Sequence, residues 1–146
     1  MKHTIKLLII ASNLVLSIPA NAALGGNVSE INTEQSQFGS QLKIQQQNSV
    51  TVYIQTLPTG TSLEEYADAS GTIFALKWRG SSLPNFQIVL GAYFNDYVAA
   101  IQKARGPVSL NNENIILQSG GIMGAYQGFA YLPKRIPAGF VISTLE

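Results

Sequence analysis

The sequence predicts an α+β domain: an antiparallel β-meander of about five strands with one long amphipathic helix packed on it and a short N-terminal helix. Three observations lead there. Apolar residues alternate with period two in three runs between Ser49 and Trp78, joined by short Gly-containing connections. The stretch from Phe86 to Ala104 instead repeats its apolar residues at three- and four-residue spacing. Two later runs, Ile115 to Gln118 and Ala125 to Leu132, again have strand character.

The chain opens with the three parts of an export signal. Lys2, His3 and Lys6 give a positive start, Leu7 to Ile18 an apolar stretch, and Ala20 and Ala22 the small residues of an A-x-A cleavage site. A membrane-spanning helix needs about 20 apolar residues, and this stretch is shorter. Residues 1–22 are therefore expected to be a signal peptide cleaved before Ala23, leaving residues 23–146 as a single domain with no transmembrane segment. Removing Lys2 and Lys6 from nine basic residues leaves seven against eight acidic ones, a net charge of −1. So balanced a chain lacks the charge that nucleic acid attracts, and no nucleic-acid partner is expected.

Within the domain, residues 23–27 form a flexible lead-in. A short amphipathic helix is expected from about Ser29 to Phe38, ended by Gly39. Gln45, Gln46 and Gln47 are a small polar run. Val50, Val52 and Ile54 then share one strand face. Leu63, Glu65 and Ala67 alternate with Ser62, Glu64 and Tyr66, and Phe74, Leu76 and Trp78 take one face of the third run. Gly80 to Asn85 breaks the sheet, and Pro84 suits the start of the long helix. In that helix Leu90, Phe94, Tyr97, Val98 and Ile101 are expected to cover the sheet at Phe74 and Leu76, before Gly106-Pro107 ends it. Asn111 to Asn114 reads as a polar loop.

Several blocks together carry a family resemblance. They are Ala23-Leu24-Gly25-Gly26; Leu57-Pro58-x-Gly60-Thr61 with Glu65-Tyr66; Gly71-Thr72-Ile73-Phe74; Trp78-x-Gly80; Leu83-Pro84; and Leu90-Gly91-x-Tyr93-Phe94 with Tyr97. Gln118-Ser119-Gly120-Gly121, Gly128-x-Ala130-Tyr131-Leu132-Pro133 and Pro137-Ala138-Gly139 complete them. In this order they resemble the family known as domain of unknown function 2844, small exported proteins of Gram-negative bacteria. The resemblance implies export, one compact domain and a periplasmic location. It supplies no activity and no catalytic residue.

The chemistry on offer is narrow. There is no Cys, and the one His is His3, so residues 23–146 have neither imidazole nor thiol. The commonest general base and the thiolate nucleophile are thereby missing. No catalytic, cofactor-binding or metal-binding residue is assigned, and no cofactor is expected. Glu64, Glu65 and Asp68, with Asp96 on the helix, form an acidic set. Neighbouring strand residues point to opposite faces, so Glu64 and Glu65 do not converge, and they are read as solvated edge residues. The Ser119-to-Gly124 loop lacks the Lys-Ser/Thr pair of a phosphate loop and reads as a hairpin connection. The aromatic residues could line a groove for an apolar ligand, peptide or glycan, although a small core claims most of them. Trp78, Arg79 and Tyr126 are the expected binding surface, because Trp78-Arg79-Gly80 ends a strand. The leading reading is a non-catalytic periplasmic binding, accessory or assembly module whose partner is an envelope protein, peptide or glycan. The alternative is a periplasmic hydrolase using carboxylates, or Ser119 with Lys77 or Lys103.

Overall fold

A computed structural model describes residues 23–146; the expected signal peptide and its cleavage residues Ala20 and Ala22 lie outside the described residues. Strands run over Gln41–Gln47 (β1), Val50–Thr56 (β2), Ser62–Ala67 (β3), Ile73–Gly80 (β4), Val108–Asn111 (β5), Ile116–Ile122 (β6) and Ala125–Tyr131 (β7). All seven pair antiparallel in one sheet, in the order β1-β2-β3-β4-β7-β6-β5. The helices are short: Ile31–Phe38 (α1), Phe86–Val89 (α2) and Phe94–Lys103 (α3). The fold is β-rich, and it corrects the expected five-strand meander with one long helix.

Two strands escaped the expectation for the same reason. The strand β1 reads Gln-Leu-Lys-Ile-Gln-Gln-Gln and β5 is four residues long. Both lie at sheet edges, where a strand has one neighbour and buries little, so apolar alternation is weak. What specifies β1 is its turn: Gln47 faces Val50 across Asn48-Ser49, and Asn48 takes φ 51, a left-handed conformation that Asn tolerates.

The long helix breaks at Gly91. Leu90 ends α2, Gly91 takes φ 50, and the chain passes through a 3-10 turn, Gly91–Tyr93, before α3. A Cβ at position 91 would lie 2.7 Å from that of Ala23, so only Gly lets the N-terminal segment approach here. The break turns the apolar stripe. Leu90 and Tyr97 are buried, Phe94 and Val98 are half-buried, and Ile101 is 44% exposed.

A bulge in β4 divides the core. Tyr66 faces Ala75 but Ala67 faces Ile73, so one extra residue sits in β4. Ile73, Leu76 and Trp78 consequently belong to one cluster, with Leu63, Phe86, Val89, Leu90 and Tyr97, under the helices. Phe74 and Ala75 join the opposite cluster, with Val50, Val52, Tyr66, Phe129 and Leu145. The expected shared face of Phe74, Leu76 and Trp78 is corrected accordingly: the helices cover Leu76 and Trp78, while Phe74 meets Phe140 edge-on, ring centroids 4.9 Å apart. The second face is covered by the C-terminal segment. Leu145 is 1% exposed there, and the Lys77 ammonium donates to the Thr144 carbonyl at 2.8 Å.

Candidate functional site

Two places gather polar groups. The first is inside. Gln55 on β2 stands between Glu34 of α1 and Glu65 of β3, and all three are 0% exposed. Its amide nitrogen donates to Glu34 Oε1 and to Glu65 Oε2, each at 2.9 Å, while its oxygen accepts from Ser40 Oγ. Burial pushes the Glu34 carboxyl up from the usual 4.5 to about 8, opposed by the Gln55 hydrogen bond. Burial first, and the Glu34 charge second, hold Glu65 well above its usual value. Two carboxyls sharing one amide in a dry site do not both ionise, so the pair keeps a proton at neutral pH. Among the described residues Glu34 Oε2 and Glu65 Oε1 make no hydrogen bond of their own, and a proton held between the two carboxyls would satisfy both.

Glu65 is therefore not a solvated edge residue: β3 lies between β2 and β4, and the helix face closes over it. Glu64 points the other way and accepts from Tyr66 Oη at 2.6 Å. Asp68 is separate again. Burial would raise its carboxyl, but hydrogen bonds from Ser70 and Thr72 outweigh that and lower it, as in an ordinary turn. The sequence carried a signal for the buried pair: Glu65 alternates in phase with Leu63 and Ala67, and Glu34 lies three residues after Ile31 and four before Phe38.

The second place is open. A groove of about 850 Å³ lies over β4, β7 and β6, between Pro107–Ser109 on one side and Leu145–Glu146 on the other. The strand registers set its floor. Arg79 faces Gln127, and Lys77 faces Phe129, which faces Gln118. These side chains share the face that the C-terminal segment partly covers. Arg79, Gln118 and Gln127 are exposed, and Phe129 forms the apolar base.

The expected binding surface is distributed as follows. Arg79 is in the groove and exposed. Trp78 borders it but is 1% exposed, because its indole lies over Gly128 and edge-on to Phe86 at 4.9 Å. Tyr126 is half-buried beside Gly80 at the strand end. Gln118 and Gln127, which sequence reasoning missed as site residues, supply the groove's amides. Ser119 and Lys77 do not meet. Lys77 stands in the row of Phe129 and Gln118, on the face opposite Ser119, which lies under the helices within hydrogen-bond reach of Tyr97. Lys103 is exposed on α3.

Residues 20–145 match the family described as Protein of unknown function (DUF2844). No curated protein and no solved structure matches the chain.

Proposed function

The chain belongs to the DUF2844 family of proteins of unknown function, and from that premise we propose that it is an exported, non-catalytic binding or accessory module of the bacterial envelope. The groove on the tail face is its ligand site. One observation carries the reading: the converging carboxyls, Glu34 and Glu65, are sealed at 0% exposure, whereas the open groove presents Arg79, Gln118 and Gln127 over Phe129. Such a surface offers hydrogen-bond donors and acceptors with a small apolar base, which suits a peptide or a glycan. A hydrolase would require the sealed pair to reach solvent, or Ser119 and Lys77 to share a face.

The test is paired affinity capture from an envelope extract with the wild-type chain, Arg79→Ala/Gln127→Ala and Glu64→Gln as baits. A component held by the wild type and by Glu64→Gln, and lost from the groove variant, supports the reading. Equal capture by all three removes the groove from it. Export has its own measurement: the intact mass of the protein recovered from the periplasm should correspond to a chain starting at Ala23. Full-length protein in the inner membrane would refute that.

A further inference from the structure

A net charge near zero conceals an uneven distribution along the sheet. At one end β4 stops at Gly80, β6 stops at Ile122, and β7 and β5 start at Ala125 and Val108. These ends are neighbours: Tyr126 faces both Gly80 and Gly121, and a Cβ on Gly120 would lie 3.4 Å from that of Pro107. The segments meeting there, 57–61, 79–86, 101–108 and 119–127, contain Arg79, Lys103 and Arg105 and no Asp or Glu. All three cations are exposed, and none forms an ion pair among the described residues. Of the carboxylates outside these segments, Glu146 stands at the wall of the groove, and Asp96 of α3 lines a shallow pocket with Lys103 and Pro107. At the other end of the sheet charges are balanced: Asp68 and Glu113 stand with Lys134 and Arg135, Glu113 pairing with Lys134 and Arg135 acting on Asp68.

The hairpin between β6 and β7 projects from the basic end. Ile122 faces Ala125, which leaves Met123-Gly124 as its two-residue turn, and Gly124 takes φ 84. Ile122 is 76% and Met123 93% exposed, and Leu83 is exposed in the neighbouring connection. Two large apolar side chains on a protruding turn, collared by cations and free of carboxylates, form a surface for an interface that is apolar within and negative at its rim.

We propose that this end docks on a membrane surface containing anionic phospholipid. Met123 and Ile122 enter the interfacial layer, and Lys103, Arg105 and Arg79 pair with lipid phosphates. A lipid surface fits better than a protein pocket because the tip protrudes and its cations are spread over two segments, 79–86 and 101–108, rather than aimed at one point. No described helix is long and apolar enough to cross a membrane, and the contact proposed is peripheral. The proposal does not depend on the groove, and of its three cations only Arg79 belongs to both places.

The test places a fluorophore at the tip of the full chain. Met123→Trp is titrated with vesicles of phosphatidylethanolamine and phosphatidylglycerol, and separately with vesicles of phosphatidylcholine alone. Ile44→Trp, an exposed position on the β1 edge, serves as control. The expected result is a blue shift of the emission of the Met123→Trp chain with the anionic vesicles, reduced by salt and absent with phosphatidylcholine, and no shift for Ile44→Trp. Lys103→Gln and Arg105→Gln should each weaken the partition about fivefold. Should Met123→Trp fold poorly, Met123→Ser in vesicle co-sedimentation gives the same comparison, with weaker binding than wild type expected. Emission unchanged by anionic vesicles, an equal shift at both positions, or a shift indifferent to salt and to the two Gln variants overturns the proposal. So does a tip that responds to an added protein fraction while pure vesicles leave it unchanged.

Discussion

At Glu65 a carboxyl with no cation beside it among the described residues is held in the dry interior by one amide and one proton. Folding takes up that proton. A carboxyl whose folded pKa lies above its unfolded one lends stability that is full below the unfolded value and is lost as pH rises through the folded value. For Glu34 the window runs from about 4.5 to about 8. Stability should therefore fall across that range, on the order of a few kcal/mol in total. Glu65→Gln keeps the shape, leaves an acceptor for Gln55 and supplies a donor to Glu34. It should flatten the decline and match or exceed the wild type at pH 8. Glu64→Gln, on the opposite face, should leave the profile unchanged. Urea unfolding at pH 5, 6.5 and 8 reads all three chains, and a wild-type profile that is flat over this range would sink the shared-proton account. The position of Glu65 was legible in its alternation with Leu63 and Ala67. Its pairing with Glu34 was not, because nothing local says that a helix about 30 residues earlier brings a second carboxyl onto it.

Among the elements, those that were legible in sequence carry apolar residues on a covered face: β2, β3, β4, β6 and β7. The edge strands were not, since they bury too little to write the pattern. The helix break was hidden because the stripe from Phe86 to Ile101 is continuous in sequence, and the contact that demands Gly91 comes from Ala23, far away in the chain. The bulge at Phe74 was equally silent, and it moves one aromatic ring to the opposite core. These corrections change which aromatic residue anchors the helix layer. Phe86 is 6% exposed and touches both Trp78 and Tyr97, ring centroids 4.9 Å and 4.7 Å apart, whereas Phe94 is half-buried and 6.5 Å from Tyr97. Phe86→Ala should cost about 3–5 kcal/mol, through lost burial and the cavity left behind. Phe94→Ala should cost about 1–2 kcal/mol, in keeping with its partial burial. Equal losses in urea unfolding would show that the layer beyond Gly91 bears on the sheet as strongly as the layer before it.

For the whole molecule, the absence of Cys means that packing and hydrogen bonding alone join the helix layer, the sheet and the N-terminal lead-in. The lead-in is where they meet. Its Leu24 N–H donates to Val89 in α2 at 2.9 Å, its Gly25 N–H donates to Ile73 in β4 at 2.7 Å, and Ile73 returns a bond to the Gly26 carbonyl at 2.9 Å. Leu24 is 3% exposed within the core under the helices. Sequence inspection makes this stretch a flexible leader, because Ala-Leu-Gly-Gly-Asn has little propensity of its own. The two glycines instead let the backbone thread between the layers, Gly25 at φ 85 lying close to Tyr93 and Leu132. A chain starting at Ala23 keeps all of this. A chain starting at Asn27 exposes the pocket that Leu24 fills and leaves the Val89 and Ile73 carbonyls and the Ile73 N–H without these partners. Emptying a buried Leu site alone typically costs about 2–5 kcal/mol, a large part of the roughly 5–15 kcal/mol that keeps a domain folded. The truncated chain should thus unfold at markedly lower urea than the chain beginning at Ala23, with faster proteolysis at the α2–β4 contact. Equal midpoints for the two chains would mean that the lead-in rides on the surface, and that the position of the proposed cleavage site is indifferent to the fold.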